Sequence, residues 1–554
     1  MHSSKVSAQI IIESLKDCGV EQLVISPGSR NAPLVIECIE TNYFKLHSII
    51  DERSAGYVAL GIAQQTQKPV AVICTSGSAV LNYAPSFAEA YYMKIPLIAI
   101  SADRPKELID MADGQTIKQI NSLANVTKHS VALTEIEGDK DLRYFYRNLT
   151  NALYKLTQEP IGPIHINVPF SEPLYSSVEK KDELPFPKFN FNIKPNYFFN
   201  KSELPTNIFG KSKKCLLLIG QRNFNELENK IIHGFSIKNN IPILVETTSN
   251  ILNYQNTISI ASFIKSLSNR EREEFQPDIL ITYKTNIVSK KIKVWLKENL
   301  KKQHIHIGQE HQNLDTYNSH SIQINSNSNL FFEEAKCESC PEYFNTFNAK
   351  VKSVKLISSN FNSNFSDFKV FELIANSLPQ KSKIVFGNSA SIRYAQLFEE
   401  FYKMESFCNR GTSGIEGTLS TAVGAAYSNP TENVFCILGD TSFFYDSNAL
   451  LNPQLPKNLK IIVINNNGGG IFRIIEGPSK VTSFEKYIET EHNFSAQKIT
   501  SAFNVTYFSA IGIDDFLNSL HKLLVLNSIG LLEVFTPKNA NDLTLKRFFK
   551  SLGV

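Results

Sequence analysis

Two apolar runs near the carboxyl terminus end in residues that could bind a metal ion. The run at residues 434–438 is followed by Asp440, and the run at 461–464 is followed by Asn466 and Gly468. A carboxylate, an amide oxygen and a backbone carbonyl are hard oxygen ligands, and Mg²⁺ held by few protein oxygens usually completes its shell with phosphate and water. The spacing therefore indicates a site for Mg²⁺ and a diphosphate group.

Both runs have the length of buried β-strands, and a parallel sheet would place their polar ends at one edge. Open α/β sheets bind their ligands at this carboxyl edge. The first third of the chain has a similar organisation, because short apolar runs alternate there with helical patterns, as in βαβ units. We expect strands at residues 22–26, 46–50, 70–74, 96–101 and 163–168.

Three of these early strands end in charged residues: Arg30 follows the first, Glu52 the second and Arg104 the fourth. Two interpretations of Glu52 stay open. The helix dipole favours a carboxylate in the first turn of a helix whatever its role, whereas a buried glutamate can also exchange a proton with a ligand. The recurrence of charged groups at one sheet edge favours a ligand-binding surface there.

A glycine-rich stretch precedes the first of the two carboxyl-terminal runs. Gly411, Gly414, Gly417 and Gly424 leave a backbone that can wrap a flat heterocycle, and a helix predicted to start near Leu419 would direct its amino end at an anion. The spacing differs from the dinucleotide pattern G-x-G-x-x-G. This difference argues against a nicotinamide enzyme.

Composition limits the classes of function. A chain of 554 residues predicts two to four domains. A net charge of +4 is small for this length and gives no reason to expect a nucleic-acid partner. The sequence shows neither a signal segment nor an apolar stretch near the roughly 20 residues that span a bilayer. We therefore expect a cytoplasmic protein without membrane contact.

The eight cysteines lie mostly in apolar runs, where a reduced thiol packs as a small hydrophobic group. Cys337 and Cys340 have the C-x-x-C spacing of metal or redox sites. A structural zinc site needs a second such pair, and the sequence has none. Packing is therefore the favoured interpretation of these cysteines.

The chain divides into three α/β segments, each predicted to form a mainly parallel sheet flanked by helices. The segments span residues 1–175, 206–342 and 368–554, and stretches rich in Pro or in Asn, Ser and Lys predict linkers at 176–205 and 343–367. The middle segment lacks a glycine-rich phosphate loop, so we expect it to be mainly structural. Its Lys290-Lys291 pair fits either a solvated helix face or a ligand contact.

Motifs in both terminal segments carry a resemblance to a known family. They are SPGSRNAPL, DERSAGYVALGIA, TSGSAVLNYAPSFAEA, SADRP with the later GQTIKQ, GNSASIR, NRGTSGIEGTLSTAVGAA and INNNGGGIF. In this order they resemble the 2-succinyl-5-enolpyruvyl-6-hydroxy-3-cyclohexene-1-carboxylate synthases, the thiamine-diphosphate enzymes of menaquinone biosynthesis. Thr441 stands where most thiamine-diphosphate enzymes have glycine, and this family tolerates the change. The middle segment matches weakly.

The resemblance implies a thiamine-diphosphate-binding fold. Its parts would be a pyrimidine-binding domain at residues 1–175, a central domain without cofactor, and a diphosphate- and magnesium-binding domain at 368–554. The cofactor of such enzymes lies between subunits, so a homodimer, or a homotetramer built from dimers, is implied, with Glu52 and Asp440 of one site on different chains. The implied reaction decarboxylates 2-oxoglutarate and adds the four-carbon unit to isochorismate.

The resemblance also implies roles for individual residues. Glu52 would be catalytic, through N1′ of the cofactor's aminopyrimidine. The implied cofactor contacts are Glu52, Ser389, Gly411, Ser413, Gly414, Ile415, Asp440, Thr441, Asn466, Gly468 and Ile471, with Asp440, Asn466 and Gly468 on Mg²⁺ or Mn²⁺. The implied substrate contacts are Arg30, Arg104, Gln115, Lys290, Arg393, Arg410 and Phe472.

Two other readings stay open. Another thiamine-diphosphate carboligase, such as an acetohydroxyacid synthase, would commonly bind FAD and act on monocarboxylates. The arginines at the strand ends favour dicarboxylates instead, because arginine binds a carboxylate through two parallel hydrogen bonds. A non-enzymatic protein on the same scaffold is the other alternative, and the presence of Glu52, Asp440 and Asn466 argues against it.

Overall fold

A computed structural model describes residues 1–179, 213–299, 301–308, 315–319, 321–325, 327–337, 339–475 and 477–553. These residues form two compact units. The first combines the described residues up to 179 with Gly411–Thr431 and Tyr445–Leu459, and the second contains the remainder. Most of the predicted linker at 176–205 lies outside the described residues.

The first unit contains a six-stranded parallel sheet with the strand order β3-β2-β4-β5-β7-β6. The strands of this part of the chain are β1 His2–Ser3, β2 Gln22–Ile25, β3 Lys45–Ser48, β4 Val70–Cys74, β5 Leu97–Asp103, β6 His129–Ala132, β7 Ile164–Pro169 and β8 Ser177–Val178, of which β1 and β8 form a separate antiparallel pair. The helices are α1 Val6–Asp17, α2 Ala32–Glu40, α3 Glu52–Thr66, α4 Ala84–Met93 and α5 Asp139–Thr157.

A five-stranded parallel sheet in the second unit has the order β10-β9-β11-β12-β13. Its strands are β9 Cys215–Ile219, β10 Ile243–Val245, β11 Ile279–Tyr283, β12 Gln303–Ile307 and β13 Ser321–Ile324. The helices of this segment are α6 Glu226–Asn239, α7 Ile260–Lys265, α8 Asn269–Glu274, α9 Lys290–Lys297, α10 Ser328–Glu334 and α11 Pro341–Ser359.

The third sheet, also in the second unit, is six-stranded and parallel with the order β15-β14-β16-β17-β19-β18. Its strands are β14 Lys383–Phe386, β15 Glu405–Cys408, β16 Val434–Gly439, β17 Leu459–Asn465, β18 Thr506–Ala510 and β19 Gly530–Phe535. The helices of the carboxyl-terminal segment are α12 Asp367–Ser377, α13 Ala390–Ala395, α14 Thr418–Ser428, α15 Asp440–Tyr445, α16 Ile471–Ile474, α17 Gln497–Ala502, α18 Ile513–Val525 and α19 Lys538–Ser551.

Most central strands of the three sheets are buried on both faces, as is usual for parallel sheets. Several of them, such as β4, β9 and β16, are nearly continuous apolar runs. In β4, for example, all five residues are buried. The sequence therefore predicted these strands to within a few residues. It missed β6, β13 and β18, which are sheet-edge strands with partly exposed residues and no apolar run.

The predicted linker at 343–367 is helical for most of its length. Helix α11 occupies residues up to Ser359, and it buries Tyr343, Phe347, Val351 and Val354 in the hydrophobic core of the second unit. These residues recur every three or four positions, so they form one apolar stripe. The many Asn, Ser and Lys residues between them masked that stripe.

Helices α3 and α14 pack closely in the first unit because glycines line their contact. A Cβ atom on Gly61 would lie 2.1 Å from the carbonyl oxygen of Thr421, and a Cβ on Gly424 would lie 2.1 Å from that of Val58. Gly417, the residue before α14, has a φ of +74°. Glycine adopts this left-handed conformation without steric cost.

Across the described part of the chain, no helix has both the length and the apolar character to cross a bilayer.

Candidate active site

The sheet of the first unit presents two arginines at its carboxyl edge. Arg30, just after β2, is 5% exposed, and its guanidinium donates to the carbonyl of Phe170 at 2.7 Å and pairs with Glu172 at 3.2 Å. Arg104, just after β5, donates to the carbonyl of Gly114 at 3.0 Å. Burial lowers the pKa of Arg30, and the charge of Arg104 lowers it further. Arg104 also lies 3.6 Å from the Asp113 carboxylate, so each of these two neighbouring arginines faces a carboxylate of the chain itself.

Glu52 is the first residue of α3, but a different residue caps this helix. The Asp51 carboxylate accepts hydrogen bonds from the amides of Arg53 at 2.8 Å and Ser54 at 3.4 Å. Glu52 itself is half-buried, and burial raises its pKa, with a smaller contribution from Asp51. The helix therefore does not need Glu52 as its cap, and a carboxylate with a raised pKa is suited to exchanging a proton.

A loop after β4 is held by a residue that the sequence did not reveal. Gly77, with a φ of +85°, donates its amide to the side-chain oxygen of Gln119 at 2.7 Å. The fully buried Gln119 in turn donates to Asn167 at 3.0 Å. Gln115, a predicted substrate contact, is exposed. It lies against this loop, since a Cβ on Gly77 would lie 3.5 Å from the carbonyl oxygen of Gln115.

A buried glutamate also holds the glycine-rich loop. Glu89 of α4 is 1% exposed and accepts hydrogen bonds from the amides of Gly411 and Thr412, both at 2.7 Å, and from the Thr412 hydroxyl at 2.8 Å. Ser413 follows with a φ of +64° and an exposed side chain. The predicted cofactor contacts from Gly411 to Ile415 thus lie on a loop that Glu89 fixes within the first unit.

In the second unit, the residues predicted to bind a metal lie together. The Asp440 carboxylate, 2% exposed, accepts hydrogen bonds from the amides of Thr441 at 2.6 Å and Gly468 at 3.0 Å. Its Oδ2 atom also lies 3.5 Å from Nε2 of His492. Burial raises the pKa of Asp440, and these donors oppose the increase. Two loops that follow different strands are joined at this carboxylate.

The hydrogen bonding of the Asn466 side chain indicates whether this cluster fits a divalent cation. Its side chain is 8% exposed, and its amide nitrogen donates to Asp367 at 3.0 Å. Its amide oxygen is buried and has no hydrogen-bond partner in the described structure. A buried acceptor without a partner is unusual in folded proteins, and the residues present fit a cation at this point. The described residues contain no cluster of three or more His, Cys, Asp or Glu side chains that could hold a metal, so such a site would depend on amide and carbonyl oxygens.

Two further arginines of the second unit lie near each other. Arg410, just after β15, donates to the side-chain oxygen of Asn388 at 2.7 Å. Arg393 of α13 donates to the carbonyl of Ser389, which has a φ of +71°. Burial lowers the pKa of Arg393, and the neighbouring charge of Arg410 contributes to this. The second unit therefore has a pair of cations like the one in the first.

The lysine pair at the start of α9 does not act as a unit. Lys290 is exposed, whereas the ammonium group of Lys291 lies 4.0 Å from the ring centroid of Phe549. One turn later, Lys293 has a pKa that burial lowers, and it interacts electrostatically with Glu246 and Arg410. Lys293 therefore lies near Arg410, although it was not among the predicted substrate contacts.

Glu246 holds the two residues that precede α9. This carboxylate is 1% exposed and accepts hydrogen bonds from the amides of Val288 at 2.6 Å and Ser289 at 2.8 Å.

The predicted apolar wall is formed by Ile471 and Phe472. They are the first two residues of α16, directly after the glycines that follow Asn467.

Comparisons with known proteins agree with this arrangement. Residues 6–126 match the family described as thiamine pyrophosphate enzyme, N-terminal TPP binding domain, and residues 388–534 match thiamine pyrophosphate enzyme, C-terminal TPP binding domain. A 2-succinyl-5-enolpyruvyl-6-hydroxy-3-cyclohexene-1-carboxylate synthase from Flavobacterium johnsoniae is 43% identical over 98% of both chains. Enzymes of the same name are 39% identical in Christiangramia forsetii, over 96% of both chains, and 32% identical in Bacteroides fragilis, over 100% of both.

The chain belongs to this synthase family. The predicted resemblance is therefore confirmed, as are the α/β fold of mainly parallel sheets and thiamine diphosphate as the cofactor. The synthase relatives also favour the predicted function over the acetohydroxyacid synthase alternative and over a non-enzymatic scaffold.

Several residues that shape the site in this synthase-family member were not found by sequence reasoning. They are Glu89, Gln119, Glu246, Lys293 and Asp367. Lys293 had a usable signal, because it lies three residues after Lys290 and shares its helix face. The other four bond to residues distant in sequence. Glu89 and Gln119 lie within the motifs TSGSAVLNYAPSFAEA and GQTIKQ, but a motif does not show which distant residue each side chain meets. The sulfur atoms of Cys337 and Cys215 lie 3.3 Å apart, and both side chains are buried.

Proposed function

We propose that this chain catalyses the thiamine-diphosphate-dependent decarboxylation of 2-oxoglutarate and the conjugate addition of the remaining four-carbon unit to isochorismate. The products are 2-succinyl-5-enolpyruvyl-6-hydroxy-3-cyclohexene-1-carboxylate and CO₂. The observation that supports this choice best is the pair of neighbouring arginines at each of two sheet edges, Arg30 with Arg104 and Arg393 with Arg410. Each substrate carries two carboxylates, and arginine is the side chain best suited to bind them.

Thiamine diphosphate supplies, when bound, an electron sink for the electron pair that is released when CO₂ leaves. Glu52 is the proposed catalytic residue. Its carboxylate would share a proton with ring nitrogen N1′ of the aminopyrimidine, and the pKa of Glu52, which burial raises, favours this exchange. The loop from Gly411 to Ile415, fixed by Glu89, would support the cofactor, with Ile415 as an apolar prop.

Asp440, the side-chain oxygen of Asn466 and the carbonyl of Gly468 are the proposed ligands of Mg²⁺, or of Mn²⁺ in its place. The unpartnered Asn466 oxygen and the buried Asp440 carboxylate support this proposal. These oxygens would leave room for diphosphate oxygens and water in an octahedral shell. Thr441, Ser389 and Ile471 are the remaining proposed cofactor contacts.

The proposed substrate contacts divide by charge. Arg30, Arg104, Arg393, Arg410 and Lys290 would bind carboxylates, Gln115 would donate a neutral hydrogen bond, and Phe472 would form an apolar wall. The exposed Lys290 is the first residue of α9, and Glu246 fixes the two residues before it.

We further propose a homodimer, or a homotetramer of dimers, in which Glu52 and Asp440 of one site come from different subunits. The implied partners are the two small-molecule substrates, without nucleic acid or membrane. The eight cysteines are all free thiols, which agrees with the proposed cytoplasmic location, because that compartment keeps thiols reduced.

The decisive experiment incubates the protein with 2-oxoglutarate, isochorismate, thiamine diphosphate and Mg²⁺. We expect loss of isochorismate absorbance together with release of CO₂, and no flavin absorbance in the purified protein. Pyruvate in place of 2-oxoglutarate is the matched control, since an acetohydroxyacid synthase would use it. Turnover of pyruvate alone would refute the substrate assignment.

A further inference from the structure

Asp367, the first residue of α12, is a buried carboxylate with both oxygens engaged. It is 2% exposed. Its Oδ1 atom accepts a hydrogen bond from the Thr536 hydroxyl at 2.6 Å, and its Oδ2 atom accepts one from the Asn466 side-chain nitrogen at 3.0 Å. Its backbone amide donates to Asn541 at 2.8 Å. The carboxylate therefore acts as an acceptor on both sides.

The bond to Asn466 removes an ambiguity that every asparagine has. The oxygen and nitrogen ends of the amide have nearly the same shape and are exchanged by a rotation of 180°. An ionised carboxylate can accept hydrogen bonds but cannot donate them, so the nitrogen end of Asn466 must face Asp367. The oxygen end is then directed away from Asp367, and it is buried without a partner.

The surroundings of this oxygen are negative. The Asp367 carboxylate accepts from the Asn466 amide nitrogen at 3.0 Å. The buried Asp440 carboxylate accepts at 3.0 Å from the amide of Gly468, two residues after Asn466 in the same loop. Two carboxylates and an unpartnered amide oxygen in one buried region would be stabilised by a divalent cation.

We propose that Asp367 is a positioning residue that sets which end of the Asn466 amide faces the divalent cation. It does not contact the cation itself, and it acts by holding the nitrogen end so that the oxygen end remains available. This inference rests on the proposed magnesium site. It predicts that an amide turned the wrong way would place a nitrogen with two hydrogens toward the cation.

The alternative is that Asp367 serves only the fold. Its bond to Thr536 ties the start of α12 to the residue after β19, and loss of that tie would destabilise the unit without any effect on a metal. Thr536→Val removes this second bond, keeps the shape of the side chain and leaves the bond between Asp367 and Asn466 in place. It is therefore a matched control.

The test measures the Kd of Mg²⁺ by calorimetry on the full-length protein with saturating thiamine diphosphate, together with the thermal midpoint of each variant. We expect Asp367→Asn to weaken Mg²⁺ binding by about 10- to 100-fold, as loss of a residue that orients a ligand does. Thr536→Val should lower the thermal midpoint and change the Kd by less than about threefold.

A swapped pair restores the hydrogen bonds and the net charge of this region, and both ends of its new carboxylate are oxygens, so the rotation of residue 466 no longer matters. In Asp367→Asn/Asn466→Asp, the new asparagine can donate its nitrogen to the new aspartate and accept from Thr536, so every hydrogen bond is restored. We expect this double variant to bind Mg²⁺ at least about tenfold more tightly than Asp367→Asn alone. Because its bonds are restored, it should also fold if Asp367→Asn does not.

Three results would overturn the inference. They are an unchanged Kd in Asp367→Asn, equal weakening in Thr536→Val, or no recovery in the swapped pair. If the wild-type protein binds thiamine diphosphate but no divalent cation at this site, the proposed magnesium site is wrong and the inference fails with it, which is a distinguishable outcome.

Discussion

The two six-stranded sheets share one topology but present different chemistry. In each, the strands follow the order second, first, third, fourth, sixth, fifth along the sheet. The third strand of the amino-terminal sheet leads to the small-residue loop at Gly77, whereas the corresponding strand of the carboxyl-terminal sheet leads to Asp440. The fourth strands lead to Arg104 and Asn466, respectively. The fold supplies equivalent positions, and the loop residues decide which ligand group each position suits.

The two carboxylates at these edges differ in the same way. Within the described residues, no other residue donates a hydrogen bond to the Glu52 carboxylate. Asp440 accepts bonds from the amides of Thr441 and Gly468. A carboxylate with few donors can change its protonation state, whereas hydrogen-bond donors favour the charged form and hold the carboxylate in place. The proposed roles of proton exchange and of anchoring therefore fall to different sheets.

The largest expected effect comes from removing the exchangeable carboxylate. Glu52→Gln should lower kcat/KM by about 10³-fold, within the range for loss of a general acid or base. The thermal midpoint should stay near that of the wild type, because Asp51 still caps α3. Since burial raises the pKa of Glu52, the acid limb of the wild-type kcat/KM profile should lie above pH 4.5 and be absent in the variant. A variant within tenfold of the wild type would remove the distinction between the two carboxylates.

The arginine pair of the carboxyl-terminal sheet gives the next largest effect. Arg410→Ala should lower kcat/KM by about two orders of magnitude, because a substrate carboxylate would lose its charged partner. Arg270→Ala is the matched control, since Arg270 is exposed on α8 and pairs with Glu274. Wild-type kinetics in Arg410→Ala would show that this arginine is not at the site.

A substitution at the close contact of α3 and α14 tests the first unit without touching the chemistry. Gly424→Ala should destabilise the protein by about 2 kcal/mol, because its Cβ would lie 2.1 Å from the Val58 carbonyl. Gly234→Ala in α6 is the control in the second unit. No atom lies within 4 Å of its added Cβ, and alanine favours a helix over glycine. Urea midpoints that fall equally in both variants would contradict the close packing at Gly424.

The smallest expected effect comes from buried histidines, which occur in both units. Burial lowers the pKa of His165 in the first unit and of His304 in the second to about 4. As the pH falls below 6.5, the unfolded histidines bind protons before the folded ones do, so stability decreases between about pH 6.5 and 4. Each histidine should cost about 1 kcal/mol at pH 5.5 relative to pH 7.5. Thermal midpoints at the two pH values, in the wild type and in His165→Asn, would check this, and a midpoint equally sensitive to pH in the variant would contradict it.

The parts of the fold that could be predicted are those with a strong local signal. Strands β4 and β16 are buried on both faces and read as apolar runs. Edge strand β18 has partly exposed residues and no such run, and α11 hides its buried stripe among polar residues. The same holds for the candidate site. The sequence showed the polar residues at the strand ends, but not the distant residues that hydrogen-bond to them.

By itself, the amino-acid sequence determined the family, the cofactor and the loops that carry the candidate groups, because these depend on residue types at short spacings along the chain. Tertiary structure alone decided which partners orient those groups. Asp367 meets Asn466 across 99 residues, and Glu89 meets Gly411 across 322. Hydrogen bonds of this kind depend on where the folded backbone brings two distant segments together, and no periodicity or motif in either segment encodes that meeting.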